Sequence, residues 1–244
     1  MSYWIPSYWG RCCCDQIAGY RSGEWGTWYG SRADGSPWNC QVIGPPIAEP
    51  ITLEEAKLHL RVDDDGDSPL SHPDDPLITV LIQAAREWCE GYSGLSLALQ
   101  TIEMAGAQFQ TMIEIPFPPL QDVTAVSYFD ADNLSQLVDP VTYTVDRFAN
   151  PARLYLASGQ SWPSSLSQRP DAVRIRFVAG YMLAGDSPTG TPMPESLRAA
   201  IKLILGSLYE SREDMVYLAR TVIDRLPFGA QTLLDRYRVR LEFA

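Results

Sequence analysis

The hydrophobic period of the chain changes twice, and this limits the fold more than any single motif does. Leu77, Val80, Leu81, Ala84, Ala85 and Trp88 recur at the i, i+3, i+4, i+7 spacing of one buried helical face. From about residue 98 to 179 the period becomes two. There Val141, Tyr143 and Val145 alternate with Thr142 and Thr144, and Val173, Ile175 and Phe177 alternate with Arg174 and Arg176, as in strands with one wet face. Leu197, Ala200, Ile201, Ile204, Leu205 and Leu208 then restore a helical face up to about Arg212. The expected class is α+β, a small helical bundle with an inserted antiparallel β region.

Local signals sharpen the boundaries. Thr52 and Glu55 form a capping box that predicts a short helix over about 53–61. Pro76 suits the first turn of a second helix, which Gly91 or Gly94 should terminate. Weaker strands are expected at 99–104, 111–115, 123–129 and 153–156, and the short Asp, Asn, Pro and Gly turns between them favour antiparallel pairing. Pro194 can open a third helix whose natural partner is the second, and a last helix is expected at about 229–237. Arg238–Ala244 alternates Val239, Leu241 and Phe243 with Arg240 and Glu242, and could add as a strand to another chain.

The first 45 residues read differently. They hold five of the seven tryptophans (Trp4, Trp9, Trp25, Trp28, Trp38) and seven glycines, with neither a helical nor a strand period. Such a segment supplies rings but little to pack around them, so it reads as a long irregular arm. Extended at about 3.3 Å per residue, it could reach on the order of 150 Å and wrap a neighbouring subunit or the capsid, or fold back on its own core. Gly44-Pro45-Pro46 and Glu49-Pro50 make a stiff connector behind it. The organisation expected is an arm over 1–48, a first helical part over 49–97, a β-rich insertion over 98–182, and a second helical part with a C-terminal tail over 183–244.

Charge and cysteine content exclude several functions. The 244 residues carry a formal charge of −11, which argues against binding nucleic acid through its phosphates. No apolar run of membrane-spanning length and no signal-peptide order is evident, so the chain reads as soluble and unexported. The five cysteines (Cys12, Cys13, Cys14, Cys40, Cys89) form neither a disulfide framework nor paired zinc motifs. Asp63, Asp65 and Asp67 fit the first positions of a calcium loop with Asp74 at the twelfth, but Ser68 stands where glycine is required. The run Asp63, Asp64, Asp65, Asp67 is therefore read as a solvated acidic loop. No nucleophile elbow, phosphate loop or dinucleotide turn occurs, and His59 and His72 have no catalytic context. The expectation is a non-enzymatic protein with no cofactor and no metal. Charge is also uneven: residues 51–76 carry net −6, whereas 220–244 carry net +2.

Several stretches together resemble the head-tail connector (adaptor) proteins of tailed bacteriophages. They run from Glu49-Pro50-Ile51-Thr52-Leu53-Glu54-Glu55 through Asp75-Pro76-Leu77-Ile78, Pro116-Phe117-Pro118-Pro119-Leu120 and Arg169-Pro170-Asp171-Ala172-Val173. They end with Tyr209-Glu210-Ser211-Arg212-Glu213 and Leu226-Pro227-Phe228-Gly229, so the resemblance covers about residues 49–240. It implies a structural virion protein at the head-tail junction, assembled in the host cytoplasm. Such a protein forms a ring of about twelve subunits under the portal vertex. DNA passes through the ring without specific binding, and neck or tail proteins dock on it; no membrane is involved. It further implies portal contact through the C-terminal segment, which by position gives Phe228, Arg236, Arg238, Arg240 and Phe243. The arm departs from the family pattern, and Trp4, Trp9, Trp25, Trp28 and Trp38 are candidates for contact with a neighbouring subunit or the capsid. An acidic ring would repel phosphate and let DNA slide, which makes Asp63, Asp64, Asp65 and Asp67 candidates for the channel or the ring surface. The alternatives are a carbohydrate- or peptide-binding module that uses the Trp-rich segment as an aromatic platform, and a metal-dependent hydrolase built on the acidic loop.

Overall fold

The computed structural model describes residues 38–62, 72–182, 190–210 and 228–239, together with the backbone of Trp28–Tyr29. Among the described residues the helices are α1 (Leu53–Leu60), α2 (Asp75–Ser93), α3 (Glu195–Glu210) and α4 (Phe228–Asp235). The strands among them are β1 (Trp28–Tyr29), β2 (Asn39–Gly44), β3 (Gln100–Gly106), β4 (Met112–Ile115), β5 (Leu120–Phe129), β6 (Ser135–Leu137), β7 (Tyr143–Asp146), β8 (Ala152–Leu156) and β9 (Val173–Ala179).

The strands form two sheets with only antiparallel neighbours. One has the order β1-β2-β3-β9-β5-β6 and the other β4-β8-β7. Alternation sets which face is buried. Ile102 and Met104 of β3, Val126 of β5 and Ile175 and Phe177 of β9 point inward and share one apolar core with Ile113, Ile115 and Leu154 of the smaller sheet. On the outer face Arg174 and Arg176 reach across to Glu103 at 3.5 and 2.9 Å.

The helices enclose a second core. Ala56, Ile78, Ile82, Ala85, Cys89, Leu197, Ala200, Ile201, Ile204, Leu205, Ala230 and Leu234 are buried together, so the helical face read from the spacing is the packed one. Each fully buried Leu or Ile contributes about 1.5–3 kcal/mol relative to exposure. Gly94 ends α2 with φ +73° and donates its N–H to the Glu90 carbonyl, the left-handed cap that glycine favours. Burial, with the Glu90 charge adding to it, pushes the Cys89 thiol up to about 12. That keeps it a packed, protonated thiol at neutral pH.

Two expectations need correction. Thr52 Oγ1 accepts from the Glu55 N–H at 3.2 Å, but the Glu55 carboxylate turns to Arg198 and Lys202 of α3, so the cap serves a helix-to-helix clamp. The irregular arm also ends earlier than expected. Residues 39–44 form a strand with Cys40 and Val42 buried, and Trp28–Tyr29 pair onto it. Trp38, at 5% exposure, is packed in its own β core, where a Cβ on Gly106 would come within 2.7 Å of its ring. It is unavailable to a neighbouring chain. Only two inward side chains carry the period of β2, and the adjacent Gly and Pro residues mask it.

Candidate interaction surfaces

The chain passes between the β sandwich and the bundle at a buried polar joint. Arg86 of α2, 6% exposed, sends Nε to Glu49 at 2.8 Å and Nη1 to Glu90 at 2.8 Å. Glu90, 2% exposed, accepts with its other oxygen from the N–H groups of Leu97 at 2.8 Å and Ala98 at 3.4 Å. Burial pushes the Glu90 carboxyl up, while the Arg86 guanidinium and the two amides oppose that. Arg86 is held above the ordinary guanidinium range because its carboxylate neighbours outweigh burial. Glu49 lies in the link from β2 to α1, and Leu97-Ala98 in the link from α2 to β3. One guanidinium-carboxylate cluster thus pins both passages.

The joint continues into the sandwich. Ser96 Oγ donates to Ala98 O at 3.0 Å and accepts from Gln100 Nε2 at 2.8 Å. The Pro116–Pro119 stretch lies under it: Ser96 N–H bonds Pro118 O and Gly180 N–H bonds Pro119 O. Gly180, at φ +124°, lies so close to the Ala98 carbonyl that a Cβ would sit 2.1 Å from its oxygen. The sequence alone assigned no contact to Glu49, Arg86 or Glu90. The available signal was a pair of opposite charges four residues apart, both on the face of α2 that Ile82 and Cys89 mark as buried.

The C-terminal candidates divide into two places. Phe228 is 84% exposed at the start of α4, whose Gly229 faces Leu203 of α3. Arg236 and Arg238 are exposed beyond the far end of that helix. Arg238 lies 5.1 Å over the Tyr92 ring, Tyr92 stacks on Trp88 at 5.2 Å, and its hydroxyl donates to Asp235 at 2.7 Å. Val239 N–H donates to Ser93 O at 2.9 Å, so the path of the chain is fixed as far as Val239. Arg240 and Phe243 lie outside the described residues, as do Trp4, Trp9, Trp25, Asp63, Asp64, Asp65 and Asp67, and Trp28 is described only in its backbone.

The last two acids of the 51–76 stretch have structural partners. Asp74 accepts from the Tyr209 hydroxyl at 2.6 Å, and Asp75 pairs with Lys57 at 3.2 Å and accepts from the His72 N–H at 2.9 Å. They tie the start of α2 to α3 and α1. Among the described residues no group of three or more His, Cys, Asp or Glu could hold a metal ion, and no helix is long and apolar enough to cross a membrane.

Residues 50–141 match the family model described as phage gp6-like head-tail connector protein, which bears out the resemblance read from the sequence. The fold is similar to a chain in the neck of an empty GTA particle computed with C6 symmetry. That likeness has 23% identity and a TM-score of 0.63, and covers 83% of this chain and 98% of that one. A chain in the virion of the native gene transfer agent (GTA) particle matches at 22% identity and a TM-score of 0.60, and one in the neck of a native GTA particle computed with C12 symmetry at 22% and 0.59. Both cover the same 83% and 98% of the two chains. No curated protein matches the chain.

Proposed function

We propose that this chain is a structural virion protein, a head-tail connector that forms a ring under the portal vertex, extends the DNA channel and offers a docking surface to neck or tail proteins. The observation that carries the reading is the family match over residues 50–141, which spans α1, α2 and strands β3 to β6. The likeness to chains from necks computed with C6 and C12 symmetry supports a cyclic array of copies. A bundle and a sandwich locked at a buried joint suit a role that is mechanical rather than catalytic.

In this reading the portal is met by the C-terminal segment, with Arg238 displayed over the Tyr92 ring, Arg236 exposed beside it, and Arg240 and Phe243 following. Phe228, at the other end of α4, belongs to a separate contact. The acidic run Asp63, Asp64, Asp65 and Asp67 faces the channel or the ring surface, where it repels DNA phosphates. Trp4, Trp9, Trp25 and Trp28 serve contacts with a neighbouring subunit or the capsid. Light scattering on the purified protein, alone and mixed with purified portal, tests the reading. A ring-shaped oligomer, or association with the portal that adding salt weakens, is expected. No association at any salt concentration overturns it.

A further inference from the structure

We propose that Phe148 of one subunit docks into the groove formed by Phe109, Trp162 and Leu166 of a second copy of this chain, a head-to-tail contact that rests on the ring reading above. Phe148 is fully exposed at the tip of the loop between β7 and β8. The loop that carries it is well tied. The N–H groups of Phe148 and Ala149 donate to Asp146 Oδ1 at 2.9 and 3.4 Å, and Arg147 pairs with Asp122 at 2.7 Å. The turn is organised before any partner arrives, which lowers the ordering cost of an interface. A wholly exposed aromatic ring adds nothing to the core of its own subunit, and buried rings of this kind are common anchors between chains.

The receiving groove lies elsewhere on the same sandwich. Phe109 and Trp162 stack at 4.5 Å with ring planes 3° apart, and the Trp162 indole N–H is fixed to the Gln110 carbonyl at 3.1 Å. Ala107, Gln108 and Leu166 complete the wall, and Arg169 is the one charged residue lining it. Arg169 and Arg174 share Asp171 and both lie over the Phe129 ring, while Arg174 and Arg176 share Glu103, so three guanidiniums face two carboxylates and one positive charge is in excess. The surroundings of the Phe148 loop have the opposite balance, with Asp122 of β5, Asp146 of β7 and Glu114 of β4 against Arg147 and Arg153. Aromatic meets aromatic, and an excess carboxylate meets an excess guanidinium.

Their placement selects a second copy as the occupant. β8 starts at Ala152, just after the Phe148 loop, and ends at Leu156, from which the chain runs to Trp162. Knob and groove therefore lie toward opposite ends of one strand. Two different patches at opposite ends are what a heterologous contact needs, and a heterologous contact that closes makes a ring. A two-fold pair would instead require one patch to face itself.

Cysteine pairing in the full-length protein tests the contact. Phe148→Cys and Gln108→Cys each replace an exposed side chain, so the thermal transition of each should match that of the unaltered protein. After oxidation under assembly conditions, with or without portal, a mixture of the two single variants should give cross-linked dimers, and the double variant a ladder of multimers. Each single variant alone should stay at the background of the unaltered protein, and Phe148→Ser should lower ring formation at least tenfold. Rings that assemble without cross-linking, rings unaffected by Phe148→Ser, or dimers from Phe148→Cys alone would each overturn the contact while leaving the ring reading in place. Failure of the unaltered protein to oligomerise, alone or on portal, would remove that reading and the contact with it.

Discussion

At the scale of single residues, backbone approach and charge burial decide most. Gly180 combines a left-handed φ with a carbonyl oxygen that would lie 2.1 Å from an added Cβ, far inside contact distance, so Gly180→Ala must move the Ala98 backbone. A loss of about 2–4 kcal/mol is expected, read as a lower denaturation midpoint with little change in slope. Removing one member of a buried ion cluster strands the others without solvent. Glu90→Ala should therefore cost about 3–5 kcal/mol, measured by chemical denaturation. Asp171 differs, because hydrogen bonds from Arg169 and then Arg174 hold its carboxyl well below the ordinary range. A depressed carboxyl contributes stability above its unfolded value, and that contribution fades as pH falls toward the folded one. Between pH 7 and pH 3 the melting temperature of Asp171→Asn should fall less steeply than that of the unaltered protein.

At the scale of elements, the sequence was most legible where a period ran long. The helical face of α2 and the alternation in β9 extend over enough residues for burial to leave a clear pattern. β2 and β6 were missed because six and three residues hold too few inward positions to show a period. The interaction surfaces were less legible than the elements. Phe148 and the Phe109-Trp162 pair acquire meaning only from exposure and stacking, which depend on residues far away in sequence. Glu55 falls between these cases, since its capping position was readable but its partners were not. Burial pushes its carboxyl up, yet the hydrogen bonds from Lys202 and Arg198 outweigh this and leave it below the ordinary range. The sign of the linkage makes the α1–α3 clamp effective above about pH 4.3 and lost as the carboxyl protonates below that. With water screening the partly open pair, Glu55→Gln should cost about 1 kcal/mol at pH 7 and almost nothing at pH 3, as thermal melts at the two pH values would show.

At the scale of the whole molecule, the net charge of −11 separates into parts with different duties. Part of the acidity before α2 is spent on internal ties at Asp74 and Asp75. Arg236 and Arg238 stand in the open, with Val239 anchored to the end of α2. A chain ending at Val239 should keep its fold and lose portal attachment, compared by melting temperature and by co-sedimentation with portal. Retained attachment would take Arg240 and Phe243 out of the portal contact.

Two passages of the chain between sandwich and bundle, β2 to α1 and α2 to β3, meet at the same buried ion cluster. A single strand of chain between two bodies is a swivel, whereas two riveted side by side restrain the turning of one body against the other. A torque applied to the β body of one subunit is therefore passed to its helices through Arg86 and Glu90. A closed ring of such subunits would behave as a stiff gear rather than a chain of loose links.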